Sequence, residues 1–149
     1  MPIGEVCVRD VVFTEREMSL REAAKLMRQH HVGDLIVAEK RDGRCFPVGI
    51  VTDRDIVMEV IAKDLSVDDF AVGDVIGPKL ITTREGDGIF ETIQSMRTNG
   101  VRRLPVVNDD GVLIGIVSMD DMLELLAEEL TGLARIPARE RQTEIGTRP

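Results

Sequence analysis

The sequence predicts an α+β fold built from two copies of one β-α-β-β-α unit, related by a pseudo-two-fold axis. Three observations predict it. Short motifs recur in the same order in both halves of the chain. Each half carries an apolar stripe at helical spacing followed by two short apolar runs. Each half then closes on the same strand-to-helix junction. Val8-Arg9-Asp10-Val11-Val12 is matched with Val72-Gly73-Asp74-Val75-Ile76, Val32-Gly33-Asp34-Leu35-Ile36-Val37 with Val101-Arg102-Arg103-Leu104-Pro105-Val106, and Asp42-Gly43 with Asp110-Gly111. The junction Gly49-Ile50-Val51-Thr52-Asp53-Arg54-Asp55 returns as Gly115-Ile116-Val117-Ser118-Met119-Asp120-Asp121. The offsets run from 64 to 69 residues. Order kept over such a period is the mark of a duplicated structural unit, with length changes confined to loops.

The elements follow in order. Leu20, Ala23, Ala24 and Met27 lie at i, i+3, i+4 and i+7, which is one face of a helix, and Ser19 is placed to cap it. Ile89, Ile93 and Met96 form the matching stripe of the second unit. Leu35 to Ala38 and Leu104 to Val107 read as strands, with Pro105 favouring a strand start or edge. Turns follow at Asp42-Gly43 and Asn108-Asp109-Asp110-Gly111, where Gly supplies a positive φ. Val48 to Val51 and Leu113 to Val117 read as the next strands. Each runs into a helix whose apolar face is Ile56, Val57, Val60 and Ile61 in one unit and Met122, Leu123, Leu126 and Leu130 in the other. The units are expected at residues 1–66 and 67–131, joined through Lys63 to Asp69. Thr131-Gly132 reads as a helix stop and 132–149 as a flexible tail.

Composition narrows the function classes. The chain has 149 residues with no Trp, no Tyr and four Phe, so the core is aliphatic and aromatic stacking on nucleic-acid bases has few residues to use. A net charge of −8 disfavours nucleic acid and anionic lipid as partners. The two cysteines, Cys7 and Cys45, form no C-x-x-C pair and read as packed thiols of a reducing compartment. Met1 to Glu5 show no basic segment leading into an apolar run, and no run approaches membrane-spanning length. The expected location is cytoplasmic.

The junctions are where chemistry is expected. Thr52 with Asp55, and Ser118 with Asp121, match the capping-box pattern, in which a hydroxyl and an acidic residue three positions on close the start of a helix. The same geometry suits a ligand. A helix start offers backbone N–H groups and a positive dipole end to a phosphate. A hydroxyl can donate to a ribose or phosphate oxygen, a carboxylate can accept from a ribose diol, and the preceding Gly allows close approach. Two such junctions should form two related clefts.

Doubled and correctly spaced, these signatures resemble a tandem pair of CBS domains, named after cystathionine β-synthase and also called a Bateman module. The resemblance spans about Val6 to Leu130 and rests on the paired Gly-x-x-Ser/Thr-x-x-Asp signatures, the strand Val101 to Val107, and Ala23-Ala24-x-x-Met27. It implies a regulatory or sensor module, not an enzyme, that binds an adenosine-containing ligand (AMP, ADP, ATP, NAD or S-adenosylmethionine) between the repeats. It implies ribose contacts from Asp55 and Asp121, ribose or phosphate contacts from Thr52 and Ser118, and phosphate contacts from Arg103 with Arg102. It implies an adenine pocket from Val12, Phe13, Thr14, Leu80, Ile81 and Thr82 with Gly33 and Asp34. It also implies a homodimer packed through helices 56–61 and 122–130, and a regulated protein partner, with no catalytic cofactor. The alternative is a ligand-free structural module for dimerisation or interaction.

The two units depart from each other at the site. Gly33-Asp34 stands where the second has Arg102-Arg103, and Arg54 where the second has Asp120. Asp34 repels phosphate, so the clefts are expected to be unequal. Other candidates read as structure. His30-His31 point apart at a helix end and make no metal pair. Gly86-Asp87-Gly88 is a turn before a helix, without the Lys-Ser/Thr of a phosphate loop. Arg135, Arg139, Arg141 and Arg148 alternate with Glu140 and Glu144 on a solvated tail.

Overall fold

In the computed structural model, which describes residues 1–148, each half of the chain forms a three-stranded sheet carrying two helices. In the first, β1 (Phe13–Thr14) runs parallel to β2 (Asp34–Arg41), which pairs antiparallel with β3 (Arg44–Thr52); α1 (Leu20–His30) lies between β1 and β2. A short helix, α2 (Asp53–Ile56), follows β3 and continues as a π-helical turn, Val57–Ile61. The second half repeats the order with β4 (Thr83–Arg84), α3 (Ile89–Asn99), β5 (Arg103–Val107), β6 (Leu113–Ser118) and α4 (Met119–Ala134). The β-α-β-β-α order is the one the sequence predicts.

Local chemistry explains these elements. The Ser19 hydroxyl accepts from the Glu22 N–H and starts α1. His31 ends it in the left-handed region at φ 53°, as Gly100 ends α3 at φ 64°. Between β2 and β3, Asp42 and Gly43 both take positive φ, 50° and 76°, as a two-residue hairpin turn requires. In the longer second turn, the Asn108 side-chain oxygen accepts from the N–H groups of Asp110 and Val112. Leu20, Ala23 and Met27 are buried, and Ala24 is exposed.

Each core is completed by the segment that leads into the other repeat. Ile3 is fully buried among Met96, Leu104, Val106 and Val117 of the second repeat, with Val6 and Cys7 packed alongside. Val72 is buried in the first core, with Val67, Phe70, Val75 and Ile76 packed on it. Backbone bonds match across the pseudo-axis: Gly4 N–H donates to Glu85 O and Gly73 N–H to Arg16 O, both at 2.9 Å. The sequence repeat can be cut at 66/67, but packing crosses that cut in both directions, so neither core closes without the other half of the chain.

This exchange corrects the alignment of the repeats. Ile3-Gly4 is the counterpart of Val72-Gly73, so Val8 to Val12 is not the partner of Val72 to Ile76. The strand register sets Thr14 against Val37 and Thr83 against Val106, so Thr14 corresponds to Thr83 and the counterpart of Val12-Phe13-Thr14 is Ile81-Thr82-Thr83. The spacing is 69 residues from Ile3 to Asp34 and their counterparts, and 66 after the shorter second hairpin, from Thr52 to Ser118.

Two helix expectations also change. In the segment after β3, Ile56 and Val60 are buried, whereas Val57 and Ile61 are 50% and 56% exposed, because the π-helical turn widens the spacing. On α4, Met122 is buried while Leu123, Leu126 and Leu130 stay exposed. Thr131-Gly132 does not stop the helix. Thr131 Oγ1 donates to Ala127 O at 2.8 Å, α4 reaches Ala134, and α5 covers Ile136–Thr147. One interior Gly costs about 1 kcal/mol against Ala, which the surrounding Ala, Leu and Glu residues offset. Pro137 sits in the first turn of α5, where no N–H is missed. The expected tail is therefore helical to Thr147, though residues 126–148 are all exposed; Pro149 lies outside the described residues.

Candidate functional site

Strand pairing places the polar residues. Asp34, the first residue of β2, is opposite Thr52, the last of β3; Arg103, the first of β5, is opposite Ser118, the last of β6. Each hairpin thus presents one charged and one hydroxyl side chain at its open end, where the following helix starts. The two open ends meet at one cavity of about 620 Å³. That is within the usual range for small-molecule sites. Gly33, Asp34 and Thr52 line it from the first repeat and Arg102, Arg103 and Ser118 from the second. Ile50, Asp53, Arg54, Val101, Met119 and Asp120 complete most of the wall.

Asp34 and Arg103 are pseudo-symmetry mates and touch each other, with 2.5 Å between Asp34 Oδ2 and Arg103 Nε. Mates in contact must lie at the pseudo-axis, so this ion pair spans the two repeats there, in the cavity lining. The Asp34 side chain is 15% exposed and that of Arg103 36%. Burial pushes the Asp34 carboxyl above its ordinary value, Arg103 pulls it down, and the neighbouring Asp53 pushes it further up. Asp53 comes close because Gly33 lacks a side chain: a Cβ there would lie 3.2 Å from Asp53 Oδ2. Asp53 was missed by sequence reasoning, since nothing in the motif shows that the start of α2 folds back over Gly33.

Both capping boxes form. Thr52 Oγ1 accepts from Asp55 N–H and Asp55 Oδ2 from Thr52 N–H, each at 3.0 Å; Ser118 and Asp121 do the same at 3.1 Å. A carboxylate has about four acceptor sites, so this leaves Asp55 and Asp121 further capacity. Neither lines the cavity directly. The expectation of free N–H groups at both helix starts needs correction. In the first, Asp53 N–H donates to Gly33 O, Arg54 N–H to Asp53 Oδ1 and Asp55 N–H to Thr52 Oγ1, so the first turn is used up. In the second, Met119 N–H donates to Arg102 O and Asp121 N–H to Ser118 Oγ, but Asp120 N–H has no hydrogen-bond partner among the described residues.

The motif glycines accommodate the chain itself. A Cβ on Gly49 would meet Ile76 at 2.9 Å; one on Gly115 would meet Cys7 Sγ at 2.7 Å and Val8 O at 2.8 Å. These contacts come from the exchanged segments. Burial also raises the Cys7 thiol above its ordinary value. Of the adenine-pocket candidates, Gly33 and Asp34 reach the cavity wall. Val12 and Ile81 pack on the two cores, Thr14 is buried against Met18, Leu80 is half-buried, and Phe13 and Thr82 are exposed without lining the cavity.

The family model for the CBS domain matches this chain twice, over residues 3–62 and 72–128. The chain belongs to the CBS domain family. The matched spans start at Ile3 and Val72, the pair that the exchanged segments identify as counterparts. Among relatives, an uncharacterized protein of Methanopyrus kandleri is 36% identical over 123 residues, covering 83% of this chain and 61% of that protein. A 17.7 kDa uncharacterized protein of Acidianus ambivalens is 30% identical over 140 residues, covering 93% and 80%. Among solved structures, a CBS domain protein of Pyrobaculum aerophilum complexed with AMP superposes with a TM-score of 0.73 at 25% identity, covering 86% of this chain and 99% of that one. A CBS domain pair in complex with 5′-methylthioadenosine and S-adenosyl-L-methionine has the same fold, with a TM-score of 0.74 at 21% identity over 87% of this chain and 98% of that one. No described helix is long and apolar enough to cross a membrane.

Proposed function

We propose that this CBS pair is a non-catalytic sensor that binds an adenosine nucleotide in the cavity between its repeats. The observation that carries the reading is the convergence of Thr52, Ser118, Arg102 and Arg103 on one cavity of about 620 Å³. The AMP complex of the Pyrobaculum aerophilum relative supports the ligand class. Ribose hydroxyls are read by the remaining acceptor sites of Asp121 or Asp55, with Ser118 or Thr52 beside them. Phosphate is held in the second half of the cavity, where Arg102, Arg103 and the Asp120 N–H stand; among the described residues the first half offers no unbonded helix-start N–H, and it carries Asp34 and Asp53. Adenine rests beside Gly33, which with Asp34 is the part of the expected adenine pocket that reaches the cavity wall. One well-held ligand per chain is expected, with AMP ahead of ATP, ADP, NAD and S-adenosylmethionine.

The same module forms a cytoplasmic homodimer and docks to a regulated protein. Val57, Met58 and Ile61 beside α2, and Leu123, Leu126 and Leu130 on α4, are 38–68% exposed, an apolar surface that a second copy would cover. Regulation requires that the ligand favour one docked state over another. The ligand-free structural reading has one observation in its favour: both capping boxes and the Asp34–Arg103 pair are complete without a ligand. Calorimetry and thermal shift with adenosine, AMP, ADP, ATP, NAD and S-adenosylmethionine decide between them. A ligand selective for the folded state must raise its stability. No heat and no shift from any of the six gives the structural reading.

A further inference from the structure

We propose that Asp34 is a built-in competitor for the ligand's anionic group: it occupies Arg103 in the empty cavity and must be displaced before a phosphate can bind there. The inference rests on the proposed adenosine site for the ligand's identity, but its core concerns the ion pair alone.

Four features support it. First, the pair bridges the two repeats at the pseudo-axis, and both of its members line the cavity. Any anion entering from either half meets the Arg103 guanidinium with Asp34 already on it. Second, the cavity is balanced as it stands: Asp34 and Asp53 with Arg54 face it from the first repeat, Arg102 and Arg103 with Asp120 from the second. Three acids offset three bases, so an added phosphate finds no surplus cation unless one acid gives way. Third, burial and the neighbouring Asp53 both work against the ionised form of Asp34, and Arg103 is what favours it. Fourth, Arg103 is the more exposed member of the pair and can turn to a new partner without entering the protein interior.

The exchange costs Asp34 its counter-charge beside Asp53. That cost applies to ligands with an anionic group and not to neutral adenosine. Asp34 therefore sets the preference between phosphorylated and unphosphorylated ligands, and holds the two repeats together through Arg103 only while the cavity is empty of anions.

The test uses the full chain and three probes: pyrophosphate, AMP and adenosine. Asp34→Asn keeps the shape and removes the charge. It should tighten AMP and pyrophosphate by roughly ten- to a hundredfold, the scale of a hydrogen bond to a charged group, and change adenosine far less than either anion. Asp34→Ala should show the same pattern, which guards against a folding defect in either variant. Arg103→Ala placed on Asp34→Asn should abolish the gain. If Asp34→Asn and Asp34→Ala leave both anions unchanged or weaker, the competitor role is overturned. If pyrophosphate tightens while no adenosine compound binds to any variant, the ion-pair inference stands and the adenosine reading falls.

Discussion

The capping boxes and the proposed ribose site use the same atoms, and substitutions can pull the two roles apart. Asp121 Oδ2 accepts from Ser118 N–H, while Ser118 Oγ accepts from Asp121 N–H. Ser118→Ala removes the cap and keeps the carboxylate; it should lower stability by about 1 kcal/mol. Asp121→Asn keeps a neutral side-chain oxygen for the Ser118 N–H and loses the negative charge at the start of a 16-residue helix, for about 0.5 kcal/mol. Asp121→Ala loses both, for about 1.5 kcal/mol. Affinity should follow a different order. Hydrogen bonds from a diol to a carboxylate are worth about 1.5–3 kcal/mol, so Asp121→Ala should weaken AMP by roughly 10- to 150-fold. Asp121→Asn should lose most of that with little loss of stability. Urea unfolding measures the first quantity and calorimetry with AMP the second. If Asp121→Asn binds AMP like the unaltered protein, the carboxylate is a helix cap and nothing more.

Further outcomes follow from the packing. Gly115→Ala should destabilise by about 2–3 kcal/mol, because the new methyl meets Val8 O, whose strand bond to Ile116 N–H would have to open; Gly49→Ala, which meets the movable end of Ile76, should cost about 1 kcal/mol. Equal costs in urea unfolding would contradict the exchanged-segment contacts. Asp34, with its folded carboxyl raised by burial, binds its proton more tightly folded than unfolded. Its contribution to stability therefore falls as pH rises from the ordinary aspartate value through the raised one, and is complete below that window. Melting temperatures of Asp34→Asn and the unaltered protein from pH 3.5 to 6 should diverge in that sense; parallel curves would remove the effect. Leu126→Asp with Leu130→Asp should halve the mass seen by light scattering if α4 forms the dimer surface, and an unchanged mass would place the contact elsewhere.

Much of the fold was legible because its signals are local. Ser19 capped α1, Asp42-Gly43 made the hairpin, and the junction motifs ended strands and started helices where the pattern put them. What escaped was non-local. Ile3-Gly4-Glu5-Val6 and Val8-Arg9-Asp10-Val11 look equally like Val72-Gly73-Asp74-Val75; only the three-dimensional exchange, with Ile3 buried in the distant repeat, tells them apart. The one-residue shift from Leu80 to Ile81 follows from strand register, which composition does not encode. The apolar face of α4 was legible from its helical spacing, but that spacing does not say what covers the face, and within this chain Leu123, Leu126 and Leu130 stay exposed. At the site, the residue types were legible and their partners were not. No local rule says that Asp53 folds over Gly33, or that Arg103 meets Asp34.

That last contact bears on how a duplicated module becomes selective. Two identical repeats would place like charges at the pseudo-axis, because mates meet there: two Asp34-type residues would repel each other, and so would two Arg103-type residues. Opposite signs at this position let the repeats close on each other without a ligand, and the same swap recurs with Arg54 and Asp120. The consequence is that one half of the cavity is acidic and the other basic. A symmetric pair could hold two like ligands. This one has a single basic half, with the Asp120 N–H, unbonded among the described residues, beside it. On the proposed reading, the asymmetry that lets Asp34 pair with Arg103 across the repeats would be the same asymmetry that limits the cavity to one phosphate.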